Sequence, residues 1–154
     1  SGHKIALTTG PSGLVFDCVI YRGSPNDKTL ARPLMERQRD IYGSVPTQIA
    51  FDGGFASAEN LAELKASGIE DVVFTKARGI PTADMASSRS VYEDLRDFRA
   101  GIEGDIAYLK NGFGLGRCLR RGWEGFKAFV WSCVLSANLF TFARRRRERE
   151  RAST

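Results

Sequence analysis

The chain has 154 residues, 42% of them apolar and 27% charged, the balance of a globular domain with room for a core rather than of a disordered chain. Its net charge of +5 is local: residues 144–151 hold six Arg and two Glu, while the rest holds 17 basic and 16 acidic side chains. A basic end of this kind suits nucleic acid, an acidic partner or a membrane surface, and equally a solvated helix C-terminus, where cations meet the negative end of the helix dipole.

Lys4–Thr9 and Leu14–Tyr21 read as two strands, the second rich in Val, Ile and Phe, joined by the turn residues Gly10-Pro11-Ser12-Gly13 into a hairpin. Asn26 or Asp27 can cap a helix running from about Lys28 to Tyr42, or starting at Arg32 given Pro33 in its early part, with Gly43 as its stop. Gln48–Phe51 is a strand ending at Asp52-Gly53-Gly54. Ser57 caps a helix that ends before Gly68, and Asp71–Thr75 is the next strand. This strand–helix–strand run predicts a parallel crossover. Residues 76–87 form a loop, a long helix spans about Ser90 to Asn111, and a Gly- and Arg-rich connection leads to a last helix from Trp123 to about Arg147.

Trp123–Ala143 is the one segment that suggests a membrane span. It is barely long enough and carries Glu124, Lys127 and Asn138, so a buried core helix is the better reading, with Trp123, Phe126, Phe129 and Trp131 as packing residues rather than base-stacking platforms. Nothing at the start of the sequence reads as a secretion signal. Cys18, Cys118 and Cys133 match no zinc spacing and read as small core side chains in a reducing compartment. Gly112, Gly114 and Gly116 resemble a phosphate loop without the strand that should precede one. His3, the only histidine, stands near the chain start and does not suggest a nucleophile pair.

Two acids stand out. Asp52 follows a strand and precedes two glycines, the place where parallel α/β sheets put ligands; the plainer reading is an Asp-Gly turn. On the long helix Leu95, Phe98, Ile102, Ile106, Leu109 and Phe113 form an apolar stripe, and Arg99, Glu103 and Lys110 lie along its border. There the plainer reading is an Arg99–Glu103 ion pair across one helical turn. Taken together, one carboxylate at a strand end and another on a helix are hard oxygen donors suited to Mg²⁺ or Mn²⁺ and to in-line phosphoryl transfer.

Phe51-Asp52-Gly53-Gly54-Phe55-Ala56-Ser57 and Phe98-Arg99-Ala100-Gly101-Ile102-Glu103-Gly104 resemble the second-Asp and Glu motifs of DDE transposases of bacterial insertion sequences. Many of these carry Tyr, Arg, Glu and Lys at fixed spacing; Arg99, Glu103 and Lys110 keep that spacing, and Arg96 stands where the Tyr would be. The run Arg121 to Ser132 and Ala137-Asn138-Leu139 resemble the family's last segment, so the similarity extends from Gly2 to about Arg144. The resemblance implies an RNase H-like α/β fold, a mixed sheet flanked by helices, over residues 1–143, with 144–154 as an Arg-rich tail. It implies Asp52 and Glu103 as catalytic, metal-binding acids, and Arg99, Lys110 and Arg144, Arg145, Arg146 and Arg147 as DNA-facing cations. It further implies Mg²⁺ or Mn²⁺ as cofactor, transposon-end DNA as partner and a bacterial cytoplasmic setting. It leaves room for a homo-oligomer and calls for no membrane and no small-molecule cofactor. No residue here matches the family's first Asp, which lies on a strand upstream of the opening hairpin; Asp17 is not promoted to that role. That strand is central in the fold, so these residues without it are expected to close the gap, borrow a strand or leave an edge open, and to be inactive alone. The alternative is a non-catalytic DNA- or partner-binding remnant of such an enzyme.

Overall fold

A computed structural model describes residues 2–115 and 118–153. It is an α/β chain that divides into two compact units, one drawn from Ser1–Gly23 and Ile102–Thr154, the other from Ser24–Gly101.

In the first unit β1 (Lys4–Thr9) and β2 (Val15–Tyr21) form an antiparallel hairpin whose register slips at Thr8/Thr9. Glycine at position 13, with φ of +76°, makes the turn possible. An isolated hairpin is marginal in water and needs an apolar cover. The cover is the last helix, α5 (Trp123–Ala152), whose Val130 and Val134 form a core with Cys18, walled by Ile5, Leu7, Val15, Ile20, Leu115 and Phe126. One polar residue fixes the docking. The Asn138 side chain accepts from the Val15 N–H at 2.8 Å and donates to the Val15 carbonyl at 2.9 Å, acting as one rung of an extra strand. The C-terminal part of α4 (Arg89–Gly112) belongs to the same unit, with Tyr108 and Phe113 in edge contact at 5.3 Å.

The second unit is a strand–helix–strand unit with an added helix. After a one-turn 3-10 helix capped by Asn26, α1 (Ala31–Tyr42) runs to Gly43, which ends it in the left-handed conformation. β3 (Gln48–Phe51) pairs in parallel with β4 (Asp71–Phe74) across α2 (Ala58–Ala66), whose N-cap is Ser57. All four β4 residues are buried, as expected of a parallel strand covered on both faces, and Phe51 stacks on Phe74 at 5.9 Å. Asp71 is buried but satisfied: it accepts from the Gln48 amide at 2.8 Å and the Ser87 N–H at 2.7 Å. The short α3 (Thr82–Met85) lies inside what reads from sequence as a plain loop; Met85 plugs against β4 with its sulfur beside the Phe74 N–H.

Three expectations change. The single mixed sheet resolves into an antiparallel pair and a parallel pair, with no ladder joining them among the described residues. Four strands arranged as one hairpin and one crossover include none that pairs with both. Helix α5 continues to Ala152 rather than Arg147, because Arg and Glu are good helix formers and pair at i,i+4, as in Arg146–Glu150 at 3.0 Å. Nor is α5 a fully buried core helix. Val130, Cys133, Val134 and Ala137 are buried, whereas Trp131, Leu135, Leu139 and Phe142 are exposed. By length and composition alone it could cross a membrane.

Candidate active site

The end of β3 builds the most organised polar cluster in the second unit. Phe51 is anchored in the core and the parallel ladder extends one step past it, with the Thr75 N–H donating to the Phe51 carbonyl at 3.0 Å. The next residue, Asp52, therefore emerges at the carboxyl edge of the strand pair with its side chain half-exposed. Its Oδ1 accepts from the Gly53 N–H at 2.7 Å and from the Thr75 hydroxyl at 3.4 Å. The chain then makes a 3-10 turn at Gly53–Phe55.

The glycines at this turn are there for space, not for a left-handed backbone. A Cβ at Gly53 would collide with the Thr75 carbonyl, and one at Gly54 with the Asp27 carboxylate. The turn is further tied by Asn60, a buried residue of α2 whose amide donates to the Lys28 and Phe55 carbonyls at 2.9 and 2.8 Å. Asn60 and Thr75 escape a reading of the sequence. The signal for Thr75 is the parallel register itself, Phe51 opposite Phe74, which sets the following residues side by side. Asn60 carries no sequence signal beyond being a polar residue in the first turn of a helix.

The structure brings Arg99 to Asp52. The Arg99 Nη2 lies 3.8 Å from Asp52 Oδ2, its side chain is only 14% exposed, and its Nη1 is buried with no hydrogen-bond partner. The in-helix pairing of Arg99 with Glu103 is not what forms. The contact sets a cation beside the half-exposed carboxylate at the strand end.

Glu103 and Lys110 lie on α4 beyond the boundary between the units, and both are exposed. Their neighbours along the helix form the expected stripe, with Leu109 buried and Phe98, Ile102 and Ile106 half-buried. Arg144, Arg145, Arg146 and Arg147 are all exposed on α5. Arg144 and Arg146 pair with Glu148 and Glu150 at 4.0 and 3.0 Å, and Arg145 donates to the Pro11 carbonyl at 3.3 Å. Asp17 is buried in the hairpin, where its Oδ1 accepts from the Cys18 N–H. Gly116, the third glycine of the loop-like Gly112–Gly116 run, lies outside the described residues.

Among the described residues no three Asp, Glu, His or Cys side chains gather into a metal-holding group. The donor chemistry still fits a hard divalent ion at Asp52. It is a half-exposed carboxylate at a strand end, with Oδ1 held by its neighbours and Oδ2 3.8 Å from Arg99 Nη2. Such an ion would need its remaining oxygens from another acid, water or substrate phosphate.

No curated protein and no solved structure matches the chain. A family model does: the transposase DDE domain, over residues 1–139. That match covers the hairpin, the Asp52 turn, the Arg99–Lys110 helix and most of α5, and it establishes that the chain belongs to the DDE transposase domain family.

Proposed function

We propose that these residues are part of the catalytic core of a DNA transposase of a bacterial insertion sequence, working on transposon ends in the cytoplasm. The observation that carries this reading is the meeting of Asp52 with Arg99, 47 positions apart in the sequence. They are the two motif positions that such an enzyme would use together. In this reading Asp52 and Glu103 are the second and third metal acids, and Arg99, Lys110 and the cations at 144–147 hold DNA phosphate. The fold in this reading is RNase H-like, with the hairpin and the parallel pair as parts of its sheet.

Two carboxylates would hold Mg²⁺ or Mn²⁺, and the ion, when bound, would polarise a phosphodiester and activate the attacking oxygen. The chain's own part is positional. The Thr75 hydroxyl and the Gly53 N–H fix one oxygen of Asp52, leaving the other outward. Arg99, largely buried, keeps its Nη2 beside Asp52, where its charge would offset that of an anionic oxygen brought to this edge.

The second reading is a remnant that binds DNA without catalysis. It is favoured by the run of exposed Arg continued on a helix and by the lack of a ready-made three-ligand group among the described residues. Calorimetric titration with Mn²⁺ separates the two. Binding that Asp52→Ala and Glu103→Ala each abolish is the expected result for the catalytic-core reading. Heat that persists in both variants, or none in the wild type, would transfer the assignment to the remnant.

A further inference from the structure

Lys76 has a backbone conformation that its residue type rarely takes. Its φ is +57°, and among the described residues it is the one non-glycine with a positive φ. The left-handed region crowds a Cβ against the backbone, so glycine, and less often Asn or Asp, is the ordinary occupant. A long, unbranched lysine gains nothing locally from being there. Outliers of this kind gather where a functional site holds them in place.

The cause lies at the carboxyl edge of the parallel pair. The ladder makes its last bond at Thr75, whose N–H donates to the Phe51 carbonyl at 3.0 Å. Beyond that bond the two chains run so close that a Cβ on Gly53 would collide with the Thr75 carbonyl. The chain leaving β4 turns at once, and Lys76 is the residue that turns it. Its Cβ lies 3.6 Å from the place a Cβ on Gly53 would take, so the side chain starts from the Asp52 turn. Lys76 is exposed, and among the described residues it forms no ion pair.

Charge gives the lysine a use. Two carboxylates border this edge: Asp52, and Asp27, which packs against Gly54. Among the described residues Arg99 is the one cation within ion-pairing distance of Asp52. A phosphate brought to the edge meets two negative groups and one positive, and a second cation levels that balance. We propose that Lys76 is this cation, a phosphate-contacting residue that the left-handed turn places at the Asp52 edge, where its ammonium takes a backbone phosphate oxygen of bound DNA. Glycine would suit the turn better but could not make the contact. The inference rests on the reading above that this edge receives DNA.

Fluorescence anisotropy with a short labelled DNA duplex at several salt concentrations, run beside thermal unfolding on the whole chain, tests it. Lys76→Gly and Lys76→Gln should each weaken binding by about three- to tenfold and lower the slope of log K against log salt by about one, while Lys76→Arg should keep both. Lys76→Gly should at the same time hold the unfolding midpoint or raise it by up to about 4 °C as the strain is relieved, so that its weaker binding cannot come from a damaged fold. Affinity and slope unchanged in the Gly and Gln variants would overturn the proposal, as would a wild type that binds no duplex. A midpoint that falls in Lys76→Gly would overturn the strained turn on which it stands. Heat of Mn²⁺ binding is a separate readout: its absence would remove the catalytic-core reading of Asp52, while duplex binding that depends on Lys76 would still uphold this contact.

Discussion

Asp71 shows how a buried carboxylate is held by its hydrogen bonds. Burial pushes its pKa up, but the Ser87 N–H, the Gln48 amide, the Ser87 hydroxyl and the charge of Lys65 outweigh this, and the net value lies below the ordinary 3.8. A carboxyl whose folded-state pKa is depressed stabilises the fold above its unfolded value, and loses that contribution as pH falls through the folded one. Urea unfolding midpoints of the wild type should therefore decline below about pH 4. In Asp71→Asn this part of the decline should be missing, at a cost of roughly 1–3 kcal/mol at neutral pH from a buried hydrogen-bond set left incomplete. The Cys133 thiol is pushed up in pKa by burial first and by Cys118 second, and its Sγ lies 3.1 Å from the Phe113 carbonyl, so it serves as a packing residue rather than a nucleophile.

Among the elements, α5 and the hairpin depend on each other. Helix α5 supplies the apolar cover of the β1–β2 pair, and Asn138 converts a helix face into a hydrogen-bonding partner for Val15. Asn138→Ala leaves the Val15 N–H and carbonyl unanswered in a partly buried place. The expected loss is about 1–3 kcal/mol, read as a lower urea midpoint. Hydrogen exchange at the Val15 amide should rise with it. Exchange at Val72 or Val73, buried in the other unit, should stay as it is; a matching rise there would mean the clamp stabilises far more than the hairpin.

On the scale of the whole molecule, the proposed contact with DNA can be tested through the distribution of charge. The body is almost neutral and the cations cluster at 144–151. Two of the Arg in the 144–147 run are already held by Glu one turn on, which moderates the cluster. Replacing Arg144, Arg145, Arg146 and Arg147 together by Gln should weaken binding to a non-specific duplex and flatten the dependence of log K on log salt by roughly two to four. Asp52→Ala should leave that slope alone. Fluorescence anisotropy at several salt concentrations reads both, and an unchanged slope in the Gln variant would place DNA contact elsewhere on the molecule.

Local signals determined a great deal. The hairpin, the helix capped at Ser57, the stop at Gly43 and the two parallel strands follow from turn residues, caps and apolar periodicity, all interactions within a few positions of each other, whereas the Asn26 cap opens only a 3-10 turn and α1 begins uncapped at Ala31. The Asp-Gly-Gly turn and the Arg99-Glu103-Lys110 spacing were visible for the same reason. Tertiary structure alone decided that Arg99 sits against Asp52 rather than Glu103, because helical spacing permits both and only packing across 47 residues chooses. It also decided that the four strands form two sheets, since ladder partners depend on which edges meet and not on how each strand reads. The two-faced character of α5 arose in the same way. Periodicity marks both stripes as apolar, but which one the hairpin covers is settled by where Val15, Cys18 and Asn138 come together in space.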